Sequence, residues 1–133
     1  MNRSLASVAY LAPDYDEAIA FFRDALGFAL VEDKDLGGGK RWVVVAPSRG
    51  AGANLVIAKA ADERQRAAIG EAAGGRVAYF LETDDFERDH AAFAARGVKF
   101  LEAPRREPYG TVAVFVDAFG VKWDLLQRAE PAI

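Results

Sequence analysis

The chain has 133 residues, of which 52% are apolar and 28% charged, the composition of one globular domain with a substantial core. Its 17 basic and 20 acidic residues are interspersed and leave a net charge of −3, which excludes the basic surface that a nucleic-acid backbone requires. The absence of cysteine excludes disulfides, thiolate metal sites and a cysteine nucleophile.

The apolar segments of the sequence indicate neither a membrane-spanning helix nor a signal for export. The longest strongly apolar run, 42–47, is far too short to cross a bilayer. The stretch 1–13 is interrupted by serines and a proline, which is not typical of a signal peptide. We therefore expect a cytoplasmic protein with no membrane or nucleic-acid partner.

The first half of the chain predicts one helix among four strands. Asp14 with Glu17 is a capping pattern that begins a helix, and Gly27 suits its left-handed C-terminal position. Three consecutive glycines, 37–39, predict a hairpin turn rather than a phosphate-binding loop, because no helix follows them. Alternating or β-branched segments predict strands at Ser7–Ala12, Phe28–Asp33, Arg41–Ala46 and Asn54–Lys59.

The second half predicts the same order of elements after a linker helix at Glu63–Ala73. Asp84 with Glu87 repeats the capping pattern, and Gly97 repeats the helix end. The strands are predicted at Arg76–Glu82, Val98–Glu102, Thr111–Val116 and Lys122–Gln127.

The two halves align without a gap at an offset of 70 residues. Identical residues then fall at equivalent positions of the predicted strands, helix ends and turns. Among them are Leu11 and Leu81, Asp14 and Asp84, Gly27 and Gly97, Val44 and Val114, and Gly50 and Gly120. An internal repeat of this kind indicates duplicated supersecondary units. We predict an α+β fold in a single domain, 1–133, built from two tandem βαβββ modules, 5–60 and 75–128, joined by a linker helix at 61–74.

Several segments resemble those of the vicinal oxygen chelate superfamily, which includes glyoxalase I, bleomycin-binding proteins and extradiol dioxygenases. The resemblance runs from about residue 5 to residue 128 and is carried by 8–14, 18–28, 80–85, 95–98 and 117–124. It implies that the two modules form curved, barrel-like sheets around a shared cleft, and that the protein is a homodimer.

The resemblance also implies where a metal ion would be held, at one position in the first and last strand of each module. Those positions are Ser7 and Val77 in the first strands and Asn54 and Asp124 in the last, where the family has His, Gln or Glu. Valine cannot coordinate, and one carboxylate with one amide falls short of the usual ligand set. We therefore predict no metal ion and no cofactor.

Strand alternation extends this set to a predicted ligand-binding surface: Ser7, Asn54, Val77, Tyr79, Lys122 and Asp124. Asp124 is the candidate catalytic residue, because an inward carboxylate in an apolar cleft can act as a base or bind a cation. The alternative is a salt bridge from Asp124 to Lys122 or a neighbouring arginine.

The positions of several other side chains are also predicted. Arg41, Trp42 and Tyr109 are predicted at the edge of the cleft, with Arg41 either contacting an anionic ligand or solvated. Trp123 should point away from Asp124, into the helix layer. The pair 105–106 is predicted to be a solvated loop, and His90 to pack on its helix rather than bind a metal.

Two functions follow from the pattern. The preferred one is metal-independent binding of a small hydrophobic or aromatic molecule in the cleft. The alternative is a glyoxalase-type lyase or isomerase, or a dioxygenase, in which Asp124 and Tyr79 would do the acid–base work. The sequence leaves open whether the protein is an enzyme.

Overall fold

A computed structural model describes residues 1–129. The chain forms two compact units, Met1–Ile69 and Gly70–Ile133, the second described up to residue 129. Each unit carries one sheet with a helix against it, which confirms the predicted α+β class.

The first unit contains four strands and two helices. They are β1 (Ser7–Ala12), α1 (Tyr15–Ala20, continued by a π-helical turn at Phe21–Ala25), β2 (Ala29–Gly37), β3 (Lys40–Ala46), β4 (Asn54–Lys59) and α2 (Glu63–Ala68). The sheet order is β1-β4-β3-β2, with β1 parallel to β4 and the other pairs antiparallel.

The core of the first unit lies between this sheet and α1. Phe22 is fully buried and meets the Tyr10 ring edge-on at 5.0 Å between centroids. The side chain of Asp14 caps α1 by accepting from the backbone N–H of Glu17, as predicted. The glycines after β2 adopt left-handed backbone angles and form the predicted hairpin turn.

The second unit repeats the arrangement with one additional strand. A short 3₁₀ turn (Ala72–Gly75) precedes β5 (Val77–Glu82), α3 (Phe86–Ala95), β6 (Lys99–Phe100), β7 (Arg105–Glu107), β8 (Gly110–Val116) and β9 (Lys122–Arg128). The sheet order is β5-β9-β8-β6, β7 also pairs with β8, and β5 is parallel to β9. No helix within residues 1–129 is long and apolar enough to cross a membrane.

Strand β7 corrects the prediction of a solvated loop at 105–106. The Arg105 guanidinium pairs with Glu102 and with Glu107, both at 3.0 Å, and these contacts hold the short strand beside β8. The linker helix is also shorter than predicted, because α2 ends at Ala68.

The cap of α3 is likewise displaced by one residue from the predicted position. Asp85, not Asp84, accepts from the backbone N–H of Arg88, at 3.1 Å. The Asp84 side chain is exposed and makes a surface ion pair with Arg88.

This difference gives a simple test of the register. Asp85→Ala is expected to destabilise the protein by about 1 kcal/mol, because it leaves a helix N–H without its acceptor. Asp84→Ala is expected to leave the urea unfolding midpoint unchanged, since an exposed ion pair contributes little. A larger loss of stability in Asp84→Ala than in Asp85→Ala would show that Asp84 caps α3, as the sequence predicted.

The hydrogen-bond register shows that the repeat does not keep one offset. Val44 and Val114 are 70 residues apart and equivalent, but Val44 pairs with Val56 whereas Val114 pairs with Asp124. Asp124 is therefore the counterpart of Val56, and the predicted equivalence of Asn54 and Asp124 is wrong. The connection before β9 is two residues shorter than the one before β4, which accounts for the shift.

Candidate functional site

A depression of about 510 Å³ opens on one face of the second sheet, around Asp124. Both ends and both walls of it come from the second unit. The lining residues are Gly75, Arg76, Val77, Phe80, Leu101, Glu102, Val114, Lys122 and Asp124.

Alternation along β9 places Asp124 on this open face. Trp123 and Leu125 are buried on the opposite face, against the helix layer, so Lys122, Asp124 and Leu126 share the open one. The prediction that Trp123 points away from Asp124 is confirmed.

Apolar side chains flank Asp124 on both neighbouring strands. Its directly opposed residues are Phe80 on β5 and Val114 on β8. Phe80 is 65% exposed and Leu101, at the rim, is 44% exposed. Large apolar side chains at a depression of this kind are typical of a ligand-binding surface.

The carboxylate of Asp124 is left without a partner on one oxygen. Its Oδ1 is buried and accepts no hydrogen bond from any residue within 1–129. Burial raises the pKa of Asp124, the negative charge of Glu102 adds to this, and Arg105 opposes it. A buried acceptor without a donor is unfavourable, so a ligand that donates to it would be stabilised.

The salt bridge considered for Asp124 does not form. Lys122 shares its face two residues away, but none of the ion pairs in the described part of the chain includes Asp124. The positive charge of Arg105 lowers the pKa of Asp124, but the guanidinium is engaged by Glu102 and Glu107.

Glu102 is a site residue that sequence reasoning missed. Its Oε2 accepts from the backbone N–H of Val114 at 3.1 Å and from Arg105 at 3.0 Å. The carboxylate therefore ties the rim of the depression to β8, the strand beside Asp124. Phe80, Leu101, Val114 and Arg76 were also missed as lining residues, although Phe80 and Leu101 are recognisable as large apolar residues near strand ends.

Tyr79 does not lie beside Asp124, which corrects the prediction. A register irregularity between Val77 and Tyr79 shifts β5, so that Tyr79 pairs with Trp123 and their rings lie 4.8 Å apart. Burial raises the pKa of Tyr79, with a smaller effect from the charge of Asp117. Its hydroxyl belongs to the helix face, so the acid–base pair considered for Tyr79 and Asp124 has no geometric basis.

Val77 and Lys122 do lie with Asp124, since they pair with each other in the register and both line the depression. In the first unit, Ser7 pairs directly with Asn54, and the two share a face with Ala9 and Val56. The predicted set is thus divided into two groups, one in each unit. Convergence of these groups on one centre stays a prediction.

Arg41 corrects the expectation of a ligand contact or a solvated side chain. It forms two hydrogen bonds to Asp33, at 3.1 and 2.8 Å, and one to Asp16 at 2.9 Å, and it lies over the Tyr15 ring. The Trp42 indole N–H donates to Glu32 at 2.9 Å, and this bond is the main reason that the pKa of Glu32 is lowered.

His90 packs as predicted. Its ring lies between Phe86 and Phe100, at centroid distances of 5.4 and 4.1 Å. This is the packing of a structural histidine on a helix.

The donor set does not fit the divalent ion that the family resemblance implies. Ser7, Asn54, Val77 and Asp124 offer one carboxylate, one amide oxygen and one hydroxyl, and valine offers nothing. Within residues 1–129, no three His, Cys, Asp or Glu side chains are grouped so that they could hold a metal ion.

Known proteins resemble the chain in sequence and in fold. An uncharacterized protein of Shewanella frigidimarina (strain NCIMB 400) is 47% identical over 128 residues, covering 96% of this chain and 95% of that protein. The crystal structure of UcmS2 is 28% identical, with a TM-score of 0.81, covering 95% of this chain and 98% of that one.

A third relative is TnmS3, an antibiotic binding protein from Streptomyces sp. CB03234, at 30% identity and a TM-score of 0.70, covering 97% of this chain and 99% of that one. Residues 4–125 match the profile of the family described as Glyoxalase/Bleomycin resistance protein/Dioxygenase superfamily. The sheets, the βαβββ order and these matches together show that the chain belongs to the glyoxalase/bleomycin resistance protein/dioxygenase superfamily.

Proposed function

We propose that the chain binds a small hydrophobic or aromatic molecule and needs no metal ion to do so. The observation that carries this proposal is the buried, partnerless Oδ1 of Asp124 among apolar side chains that remain exposed. An apolar surface with one or two placed polar groups is the usual composition of a small-molecule site.

The size and walls of the depression support this function. A volume of about 510 Å³ falls within the range of ligand pockets, and Phe80 offers an accessible ring face. TnmS3, which covers nearly the whole chain, is an antibiotic binding protein. The donors at the four predicted metal positions support the metal-independent form of the proposal, because they offer no imidazole and a single carboxylate, fewer ligands than a divalent ion prefers.

We infer further that the protein acts as a homodimer, as the family resemblance implies. Both units keep large apolar side chains exposed outside the depression, and exposed apolar side chains of this size suit a surface that is covered in an assembly. These side chains are Leu36, Trp42 and Tyr109.

The proposal predicts ligand stabilisation and metal indifference in the same assay. An aromatic antibiotic at about a hundred times its dissociation constant should stabilise the fold by about 2.7 kcal/mol and raise the melting temperature by several degrees. Zn²⁺, Mn²⁺ and EDTA should leave the midpoint unchanged. Light scattering on the same sample checks the dimer mass.

Two results would contradict this function. A stoichiometric metal that survives dialysis, together with a lower midpoint in EDTA, would replace metal-independent binding by a metal site. A flat response to a broad panel of aromatic compounds would remove small-molecule binding. Glu82→Gln is the matched control for any variant in the depression, because Glu82 lies on the same face but outside the lining and pairs with Arg128.

A further inference from the structure

The charges around the depression are separated into two ends. Arg76 and Lys122 lie at the end where β5 and β9 begin. Asp124 lies two residues farther along β9 on the same face, about 6.6 Å away in backbone distance. The two ends therefore have opposite charge, yet Lys122 and Asp124 form no ion pair in the described residues.

At the acidic end, only one carboxylate is available to a ligand among the lining residues. Glu102 is occupied, because its oxygens accept from Arg105 and from the backbone N–H of Val114. Asp124 keeps a buried oxygen with no donor. A hydrogen-bond donor on the ligand would supply the hydrogen bond that Oδ1 of Asp124 lacks. An acidic group placed there would be repelled by the carboxylates of both Asp124 and Glu102.

At the basic end, the two cations are free to meet an anion. Lys122 and Arg76 are exposed, and neither is in an ion pair within residues 1–129. Val77, which pairs with Lys122, supplies an apolar floor beside them. An acidic group on a ligand would find its counter-charge here and nowhere else along the lining.

Between the two ends, the walls are apolar and suit a flat ring. Phe80 stands opposite Asp124 with its side chain largely exposed, and Leu101 lies at the rim. Offset or edge-on contacts between aromatic rings favour a planar ligand over an aliphatic chain of the same area.

We propose that the ligand is an amphoteric aromatic compound, with a hydroxyl or amine donor directed to Asp124 and an acidic group directed to Lys122 and Arg76. This inference rests on the proposed binding function and names the chemical class for the same site. It assigns Asp124 and Lys122 as the two residues that determine specificity and the orientation of the ring.

Four matched probes test the assignment by calorimetry: 6-hydroxy-2-naphthoate, 2-naphthoate, 2-naphthol and its methyl ether, 2-methoxynaphthalene. The protein should bind 6-hydroxy-2-naphthoate at least tenfold more tightly than either 2-naphthoate or 2-naphthol, since each lacks one of the two groups. The ether, which lacks both, should bind most weakly.

Two variants assign each preference to its residue. Asp124→Asn should remove most of the preference over 2-naphthoate and keep the preference over 2-naphthol. Lys122→Met should do the reverse. Glu82→Gln and Lys99→Met are the charge-matched controls on strands of the same sheet, and they should leave all four affinities within twofold of the parent protein.

The outcomes separate this inference from the proposed function. Four equal affinities, or preferences that survive in both variants, would overturn the amphoteric class while small-molecule binding stands. Binding of an aromatic antibiotic without binding of any naphthalene probe would also overturn it. Failure of all these compounds would remove the proposed function together with the inference.

Discussion

Asp117→Ala is expected to lower the free energy of unfolding by about 3 kcal/mol, because three donors, two buried and one half-buried, lose one acceptor group. Asp117 is only 6% exposed. Its Oδ1 accepts from the backbone N–H groups of Phe119 and Val121, at 2.9 and 3.0 Å, and its Oδ2 accepts from the Trp123 indole at 3.0 Å. Alanine removes the acceptor and leaves all three donors in place.

The same carboxylate positions the site. It links the turn at 117–121 to Trp123, and Trp123 is the neighbour of both Lys122 and Asp124 on β9. The loss of this anchor should therefore weaken ligand binding as well as stability, although Asp117 faces away from the depression. Asp117 would thus affect ligand binding by holding β9 in place, without contacting the ligand itself.

Urea unfolding and the near-ultraviolet dichroism of the indole check this prediction. Trp123→Phe is the comparison, since it keeps an aromatic ring. It should cost about 1 kcal/mol from the lost indole hydrogen bond, and the smaller ring adds a cavity cost because Trp123 is buried. A loss below 1 kcal/mol for Asp117→Ala would show that the three bonds do not hold the turn.

The elements that were predictable from sequence are those with local signals. β1 and β4 have their predicted bounds, and Asp14 caps α1 because its spacing to Glu17 satisfies a local geometric rule. The glycine hairpin is predictable for the same reason, since the turn demands left-handed backbone angles.

The site was less predictable because it depends on register. An ungapped repeat places Val77 opposite Asp124, but the shorter connection before β9 and the irregularity after Val77 together place Phe80 there instead. A bulge changes which face each later residue occupies, and residue types alone do not reveal it. Tyr79 was assigned to the wrong face for this reason, and Phe80 was missed for the same one.

Ion pairs were also beyond sequence reasoning. Arg41 and Arg105 were predicted as solvated or ligand-facing, whereas both are held by two carboxylates from residues near them in space. Asp16 lies 25 residues from Arg41, so the pairing depends on the packing of α1 beside β3. Asp124, in contrast, lies two residues from Lys122 on the same face of β9 and does not pair with it.

The unpaired state of Asp124 predicts that its removal stabilises the free protein. Asp124→Leu should raise the free energy of unfolding by roughly 1.5 kcal/mol at neutral pH, because it removes a buried charge and adds an apolar contact beside Phe80 and Val114. The same variant should lose the preference for ligands with a hydrogen-bond donor. Binding and stability would then change in opposite directions at one residue.

The pH dependence of stability separates the effect of removing the buried charge from the effect of adding an apolar contact. Burial raises the pKa of Asp124 above the value of 3.8 that it has when unfolded. Below that value the carboxyl is protonated in both states and carries no electrostatic penalty; as the pH rises through the higher native pKa, the folded state must ionise a buried group and the parent protein loses stability. The advantage of Asp124→Asn should therefore grow from about pH 4 upward and level off once the native carboxyl is ionised.

Thermal unfolding of the parent, Asp124→Asn and Asp124→Leu across this range gives the comparison. The leucine variant should keep an additional gain at every pH, because its apolar contact does not titrate. An advantage that shrinks with rising pH would show that a cation stabilises the ionised Asp124. That result would remove the reason for a ligand donor at this position, since a carboxylate already paired within the protein gains little from a second partner.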